Sequence, residues 1–142
     1  MADENRKLAM VVFGGTVDKL YPAAIMASGA VMNDMDVDIF ITFWGMMPFR
    51  KGAPYQLQSV SKDHEEMGAA MMRAMQEKKV PSWYDTLQQA KEIGNVHVHA
   101  CAMTADLFGL GQDDFEPIVD DIIGVGEFID MAASATTTMY LG

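Results

Sequence analysis

Cysteine is nearly absent from this chain, because Cys101 is the only one among 142 residues. A single cysteine excludes an internal disulfide and gives no sign of an oxidising compartment. It also excludes redox chemistry of the Cys-x-x-Cys type, since that chemistry needs a second thiol in the same chain. Cys101 is therefore either a buried apolar residue or a thiol that reacts alone with outside groups.

Positive charge and long hydrophobic runs are scarce as well. Ten lysines and arginines stand against twenty acidic residues, and the net charge of −10 argues against a nucleic-acid partner. The longest uncharged apolar stretches, Pro22–Met32 and Ile39–Phe49, fall short of the roughly 20 residues that span a bilayer. The first residues are polar and lack the apolar core of a signal peptide. We therefore expect a cytoplasmic chain with no membrane association.

Strand-like and helix-like segments alternate along the chain. Runs rich in apolar and β-branched residues predict strands at Lys7–Phe13, Val37–Phe43, Val96–Ala100 and Thr136–Leu141. Helices are predicted from Val17 to about 33, about 63 to 78, Ser82 to Gly94, just after Cys101 to Gly109, and Gly124–Ala135. The length and the alternation predict a single α/β domain over residues 1–142, with a mainly parallel sheet of about five strands between two layers of helices.

Cys101 lies where such a domain would place a reactive group. It follows the strand-like Val96–Ala100 and precedes residues that resemble the first turns of a helix. Open α/β sheets bind ligands at the carboxyl ends of their strands. The N–H groups at a helix N-terminus favour a thiolate over a thiol. A buried and inert cysteine remains the alternative, because free cysteine is among the most buried residue types.

The other predicted strands end in residues that could form the same pocket. Gly14 and Gly15 follow the first strand, where they either cradle an anion on backbone N–H groups or simply make a tight turn. Trp44 follows the second strand and either shields a thiolate from water or packs on the sheet, while Met103 could also limit water access. Gly45 would allow another backbone to approach closely.

A long loop without clear periodicity runs from Gly45 to about Lys62 and carries two adjacent basic residues, Arg50 and Lys51. A cation near a thiol lowers its pKa and attracts anionic sulfur species or an acidic partner. We expect this loop to help form the Cys101 pocket. The alternative is that both charges are simply solvated on the loop.

His97, His99 and Cys101 are spaced two residues apart, which would place them on one face of a strand. Two imidazoles and a thiolate form a possible zinc set with an open position. However, their Cα atoms would be about 6.5 to 7 Å apart from one to the next, so one ion could not easily reach all three. We therefore expect no bound metal or cofactor and keep the metal site as the less favoured alternative.

Methionine and apolar residues are abundant. There are 14 methionines, half of all residues are hydrophobic, and Met67, Met71 and Met75 recur at helical spacing. This apolar surplus predicts a homo-oligomer, with the methionine helix and the Gly45–Lys62 loop contributing to the interface.

Three segments together resemble the DsrE/DsrF/DsrH-like family, and within it the stand-alone DsrE-like sulfur-carrier branch. They are Ile39–Gly45 with Arg50 and Lys51 soon after, Ala100–Leu110 around the cysteine, and Gly124–Ile129. Their order and spacing agree with the family from about Lys7 to Leu141. The Thr-Phe-Trp-Gly and Ala-Cys-x-Met blocks are fairly specific in combination.

The resemblance implies a three-layer α/β/α domain that carries sulfur on Cys101, as a persulfide or a related adduct, and forms homo-oligomers. Its partners would be small sulfur species or proteins that donate and accept sulfur. Two features depart from the family: His97 and His99 are unusual there, and the second cysteine of some relatives is missing. An assembly or regulatory subunit with an inert cysteine is the rival interpretation, and a His/Cys metal-binding module is another.

Overall fold

The computed structural model describes residues 6–56 and 59–142. In these residues five strands form one sheet in the order β4-β3-β2-β1-β5, and all neighbouring strands are parallel. The strands are β1 (Lys7–Val12), β2 (Asp36–Ile41), β3 (Val96–Cys101), β4 (Val119–Ile123) and β5 (Thr137–Leu141). The helices are α1 (Val17–Met32), α2 (Glu65–Glu77), α3 (Trp83–Ile93), α4 (Ala102–Leu107) and α5 (Val125–Ala133). The predicted three-layer α/β/α architecture is confirmed.

One face of the sheet is covered by α1, which packs closely on α3. Met10, Ile39 and Val98 lie side by side on β1, β2 and β3, and all three are buried. The chain just after α3 approaches α1 closely at a glycine. A Cβ atom at Gly94 would lie 2.7 Å from Val31 Cγ1, and the backbone of Gly94 is extended rather than left-handed. Gly94 is therefore needed for close packing against α1 rather than for a left-handed helix end.

The opposite face of the sheet carries α5. Phe128 is the only residue of α5 that is buried within the described chain. Its ring stacks on Phe40 of β2, with 4.7 Å between the centroids and 13° between the planes. The rest of this face extends from α5 toward α4 and β5 as an open groove, which contains Cys101.

Strand β4 was missed by the sequence prediction, which identified the other four strands. Its sequence, Val-Asp-Asp-Ile-Ile, is interrupted by Asp120 and Asp121, and acidic residues are depleted in strands. Both carboxylates find partners at this edge of the sheet, since Asp120 pairs with Lys91 and Asp121 with His99. The pairs explain why an acidic segment is stable as an edge strand.

The long loop is divided into short 3-10 turns at Phe43–Gly45, Met47–Phe49, Ala53–Tyr55 and Lys62–His64. Two hydrogen bonds attach its C-terminal end to the start of α1, because Val17 N–H donates to Ser59 O and Ser61 N–H donates to the Asp18 carboxylate. Burial opposes the ionisation of Asp18, but the hydrogen bonds from Ser61 and Thr16 outweigh it and lower its pKa to about 2. Among the helices of the described residues, none has both the length and the hydropathy needed to cross a membrane.

Candidate functional site

Cys101 is the last residue of β3, and α4 begins at the next residue. Its Cα is paired with that of Ile123 on β4, so the thiol lies at the carboxyl end of the sheet. Only 6% of the residue is exposed. The thiol is therefore reached only through the cleft that it helps to line.

That cleft has a volume of about 720 Å³ and lies between the sheet, α4 and α5. Most of its lining is carbon, and its polar side chains end in hydroxyl or thiol groups. The lining residues are Val11, Phe40, Thr42, Cys101, Ala102, Met103, Gly124, Val125, Phe128, Ile129 and Tyr140. A thiol at the base of an apolar cleft of this size can meet a small molecule or a narrow segment of a partner.

Two threonines form a hydrogen-bond network beside the thiol. Thr104 is fully buried, and its Oγ1 accepts a hydrogen bond from Phe43 N–H at 3.3 Å and lies 3.1 Å from Thr42 Oγ1. Each hydroxyl has one proton to donate. Whichever threonine donates to the other, one hydroxyl proton remains available for the sulfur atom of Cys101.

The surroundings of Cys101 lower the pKa of its thiol. Burial acts in the opposite direction and raises the pKa, since it disfavours a charge. Hydrogen bonds from the hydroxyl and N–H of Thr104, the hydroxyl of Thr42 and the N–H of Met103 outweigh burial, and the net pKa lies below the ordinary value. At neutral pH a larger fraction of this thiol is therefore the nucleophilic thiolate.

The chain turns sharply between β2 and the threonine network. Phe43 has a φ of 47°, in the left-handed region that is unfavourable for a bulky residue. Such strain costs about 1–3 kcal/mol and persists where the surroundings impose it. Here the turn directs the Phe43 N–H at Thr104 Oγ1, and this contact holds the hydroxyl beside Cys101.

The glycines predicted for the pocket lie behind the cleft, where backbone segments meet. A Cβ atom at Gly45 would lie 2.2 Å from Val12 O, and one at Gly15 would lie 2.2 Å from Trp44 O. A Cβ atom at Gly14 would meet Lys19 Cγ at 2.8 Å. These glycines let the loops after β1 and β2 pack against each other, and the cleft lining does not include them.

The two side chains predicted to limit water access are in different places. Met103 lines the cleft and is mostly exposed at its rim. Trp44 is exposed outside the cleft lining, with its ring 6.1 Å from that of Phe108 just beyond α4. The structure therefore brings Met103 to Cys101 and leaves Trp44 on the outer side of α4.

Arg50 and Lys51 also lie away from the cleft lining, in a separate pocket of about 390 Å³ with Asp113 and Asp114. Arg50 forms an isolated antiparallel bridge with Phe115, and its Nε donates to Met47 O at 3.0 Å. Lys51 N–H donates to Asp114 O at 3.0 Å. The loop is thus packed against the segment before β4, and its two cations face acidic neighbours.

The histidines of β3 interact with carboxylates instead of forming a metal site with Cys101. His97 is half exposed, with Nδ1 3.7 Å from Asp120 Oδ2. His99 is buried, with Nε2 2.9 Å from Asp38 Oδ1 and Nδ1 2.6 Å from Asp121 Oδ1. In residues 6–56 and 59–142, no group of three or more His, Cys, Asp or Glu side chains is placed to hold a metal ion.

The cluster around His99 contains opposite charges. Burial alone would lower the pKa of His99, but its hydrogen bonds to Asp38 and Asp121 raise it above the ordinary value. Burial would raise the pKa of Asp38, but hydrogen bonds from His99 and Lys7 lower it. His99 therefore fits its buried position as a cation between carboxylates.

Sequence reasoning missed the residues that activate and enclose the thiol. Thr42 and Thr104 were not singled out, although Thr42 follows β2 and Thr104 is the third residue after Cys101. A search for hydroxyl groups at the carboxyl ends of neighbouring parallel strands would have found them. The helical stripe of Val125, Phe128 and Ile129 is visible in the sequence, but nothing in the sequence places it over Cys101.

Comparison with known proteins gives a consistent result over most of the chain. The sequence profile of the DsrE/DsrF/DrsH-like family matches residues 4–73 and 47–140. The uncharacterized protein YrkE of Bacillus subtilis is 27% identical over 164 aligned positions, which cover 99% of this chain and all of YrkE. The sulfur carrier protein DsrE2 of Allochromatium vinosum is 26% identical over 159 positions, covering 97% of this chain and 99% of that protein.

A solved structure supports the fold alone. The protein of unknown function MTH1491 from Methanobacterium thermoautotrophicum superposes with a TM-score of 0.59 at 12% sequence identity. The superposition covers 95% of this chain and 99% of that one.

Proposed function

Because the chain belongs to the DsrE/DsrF/DrsH-like family, we propose that it is a cytoplasmic sulfur-relay protein whose Cys101 thiolate carries sulfane sulfur. In this proposal Cys101 takes sulfur from a donor, holds it as a persulfide and passes it to the thiol of a partner. DsrE2 of Allochromatium vinosum, which aligns with 97% of this chain, is named a sulfur carrier protein.

The observation that carries the proposal is the placement of the thiol. Cys101 lines an accessible cleft, and the hydrogen-bond donors of Thr104, Thr42 and Met103 favour its ionised form despite burial. An inert core cysteine gains nothing from donors aimed at its sulfur, because a neutral thiol is a weak acceptor. A thiolate that attacks sulfane sulfur needs both a lowered pKa and an open path.

The chemistry balances without an added oxidant or reductant. The thiolate attacks the outer sulfur of a donor R–S–SH, the S–S bond of the donor breaks, and its electron pair leaves with RS⁻. Cys101 then carries the outer sulfur as Cys–S–SH. Unloading is the same reaction in reverse, in which a partner thiolate takes the outer sulfur and Cys101 becomes the leaving thiolate.

The lone cysteine limits how the persulfide can react next. The sequence contains no second thiol that could attack it and close an internal disulfide. Sulfur therefore leaves only to a thiol outside the chain. This is the behaviour of a carrier that needs an acceptor.

Intact-mass spectrometry tests the proposal directly. We expect incubation with polysulfide, thiosulfate or tetrathionate to give sulfur-containing mass additions with at least one of these donors, and none of them in Cys101→Ser. A thiol reductant should remove the additions. Unchanged wild-type mass with all three of these anionic donors and with a neutral dialkyl trisulfide would contradict the carrier role.

An inert cysteine in an assembly or regulatory subunit is the second candidate, and the low exposure of Cys101 favours it. The two roles differ in the reactivity of the folded protein. A carrier should react with iodoacetamide before unfolding, whereas an inert subunit should react only in denaturant.

We also propose that the protein forms homo-oligomers. Within the described chain α2 has no buried residue, although Met67 and Met71 lie along one of its faces. A helix with that much exposed apolar surface gains stability when another surface covers it. One chain has a mass of 15.6 kDa, and light scattering at micromolar concentration should give a mass well above that value. A measured mass equal to that of one chain would reject the proposal.

A further inference from the structure

Within the described residues, no lysine or arginine lines the cleft around Cys101. All ten lysines and arginines lie in that part of the chain. Nine of its eleven lining residues have side chains that are apolar, aromatic or absent, and the other two are Thr42 and Cys101. Glu127 and Asp130 lie beside the lining residues on α5 and carry the opposite charge.

The adjacent cations Arg50 and Lys51 belong to a different pocket. They line that pocket together with the acidic residues Asp113 and Asp114. A small anion bound there would not be held against the sulfur of Cys101, because the two pockets have no lining residue in common.

We propose that sulfur reaches Cys101 on an uncharged, apolar carrier molecule, such as a dialkyl trisulfide, and that the cleft discriminates against anionic donors. This inference rests on the proposed function, and it names the substrate class of the same site. The donor places its apolar part against Val125, Phe128 and Ile129 while its sulfane sulfur reaches the thiolate.

The discrimination follows from charge and solvation. An anion that enters an apolar cleft loses its hydration and finds no cation in return. It also approaches the thiolate, which is already negative, in a chain of net charge −10. An apolar donor gains from leaving water and meets neither penalty.

The loading step for this class balances. Cys101 thiolate attacks the central sulfur of a neutral trisulfide R–S–S–S–R, a new S–S bond forms, and one S–S bond of the donor breaks, so that Cys101 holds the sulfane sulfur as Cys–S–S–S–R. The electron pair leaves on RS⁻, which takes up a proton from water and departs as the uncharged thiol RSH. No oxidant, reductant or cation is required.

A matched pair of alkylating reagents tests the cleft independently of sulfur transfer. Iodoacetamide is neutral and iodoacetate is anionic, and both transfer a two-carbon group. The measured quantity is the rate of Cys101 alkylation by iodoacetamide divided by the rate with iodoacetate. This ratio should be about tenfold or more higher in the folded protein than in denaturant. A folded-state ratio equal to the denatured ratio would overturn the proposal.

Two variants with the same charge change locate the effect. Ile129→Lys places a cation at the cleft and should lower the preference for iodoacetamide several-fold. Ile93→Lys adds the same charge at an exposed position on α3 outside the cleft lining and should leave the preference unchanged. Arg50→Ala with Lys51→Ala should also leave it unchanged. A response of the loop double variant equal to that of Ile129→Lys would overturn the proposal.

Matched sulfur donors separate this inference from the proposed function. Di-n-propyl trisulfide and bis(2-carboxyethyl) trisulfide have the same reacting group, and the neutral donor should load Cys101 faster. Equal loading would overturn the inference and leave the carrier role intact, whereas no loading by either would reject both. If alkylation by both reagents slows together as protein concentration rises, a second copy covers the cleft and the assignment to a small donor fails.

Discussion

Two adjacent rows of residues across the same sheet have very different surroundings. One row faces α1 and is covered, and it contains Met139, Met10, Ile39, Val98 and Val119. The next row faces α5 and contains Tyr140, Val11, Phe40, His99 and Asp121. Ile39 is 1% exposed, whereas Tyr140 is 69% exposed. Successive strand residues point to opposite faces, so a shift of one position separates these two environments on β1, β2, β3 and β5. On β4 a register shift places Asp120 between the residues of the two rows.

The two faces differ in what their residues do. The covered row contains apolar side chains packed between sheet and helix, and its contribution is stability. The row toward α5 contains one stacked aromatic pair, a buried histidine with two carboxylates, and the approach to Cys101. A reactive thiol needs an open face, and the covered face supplies the stability that an open face cannot.

The largest expected effect comes from making the same substitution on each face. Ile39→Ala should lower the free energy of unfolding by about 2–5 kcal/mol, because it leaves a cavity in the covered core. Ile129→Ala on α5, where the side chain is 58% exposed, should cost less than about 1 kcal/mol. Urea unfolding of both variants measures the contrast. Equal costs would mean that the α5 face is as tightly packed as the α1 face.

The next effect concerns the threonine network. Thr104→Val keeps the shape of the side chain but leaves Phe43 N–H without its acceptor, at a cost of about 1–3 kcal/mol. It also removes a donor to the thiolate, so the pKa of Cys101 should rise and alkylation at pH 7 should slow.

Thr104→Ser is the matched control for this network, since it retains the hydroxyl. Its alkylation-versus-pH curve should stay close to that of the wild type. If Thr104→Val and Thr104→Ser gave the same midpoint, the hydroxyl would have no part in lowering the pKa.

The buried histidine should make stability depend on pH. The pKa of His99 is raised in the folded state, so its contribution is complete below the unfolded pKa of about 6.5 and is lost as the pH rises through the folded pKa. The pKa of Asp38 is lowered, so its contribution is lost as the pH falls through the folded value. The cluster of Lys7, Asp38, His99 and Asp121 should therefore stabilise the fold most between about pH 4 and 6.5.

Urea unfolding from pH 5 to 8 measures this dependence. The fall in stability with rising pH should be reduced in His99→Gln. His97→Gln is the control on the same strand, since it makes the same substitution at a half-exposed side chain. If the free energy of unfolding fell equally steeply with pH in the wild type and in His99→Gln, a group other than His99 would cause the pH dependence.

The smallest effect is a gain in helix stability. Gly126 lies in α5, and a Cβ atom there would meet nothing within 4 Å. Gly126→Ala should add about 0.5–1 kcal/mol, because alanine loses less backbone entropy in a helix. Gly29→Ala in α1 meets the same open space and serves as the comparison on the other side of the sheet. A loss of stability in Gly126→Ala alone would indicate that α5 packs more closely than its exposure suggests.

Periodicity was sufficient to predict most of the fold. β1, β3, α1 and α3 lie within a few residues of their predicted bounds, because continuous apolar runs and helical stripes are local signals. Ser82, where the helix was predicted to begin, caps α3, since Asp85 N–H donates to Ser82 Oγ at 3.0 Å. β4 was missed because its acidic residues are stable only through partners on other elements.

The site was less accessible to sequence reasoning. The position of Cys101 between a strand and a helix is local, and the sequence predicted it. Arg50 and Lys51 seemed close to the thiol because the loop begins beside Trp44, but the loop folds toward Asp113 and Asp114. Chain proximity was a poor guide there, since the direction of a loop depends on what it packs against.

The sequence by itself determined a parallel α/β domain, a single thiol at a strand end and an acidic chain, because strand and helix periods, residue counts and caps are local properties. Only the tertiary structure decided what surrounds that thiol. Thr42 and Thr104 meet across 62 positions of sequence, and Phe40 stacks on Phe128 across the cleft. These contacts depend on the strand order and on which side each helix crosses. No local pattern encodes either of them, because both result from the burial of apolar surface by the whole chain.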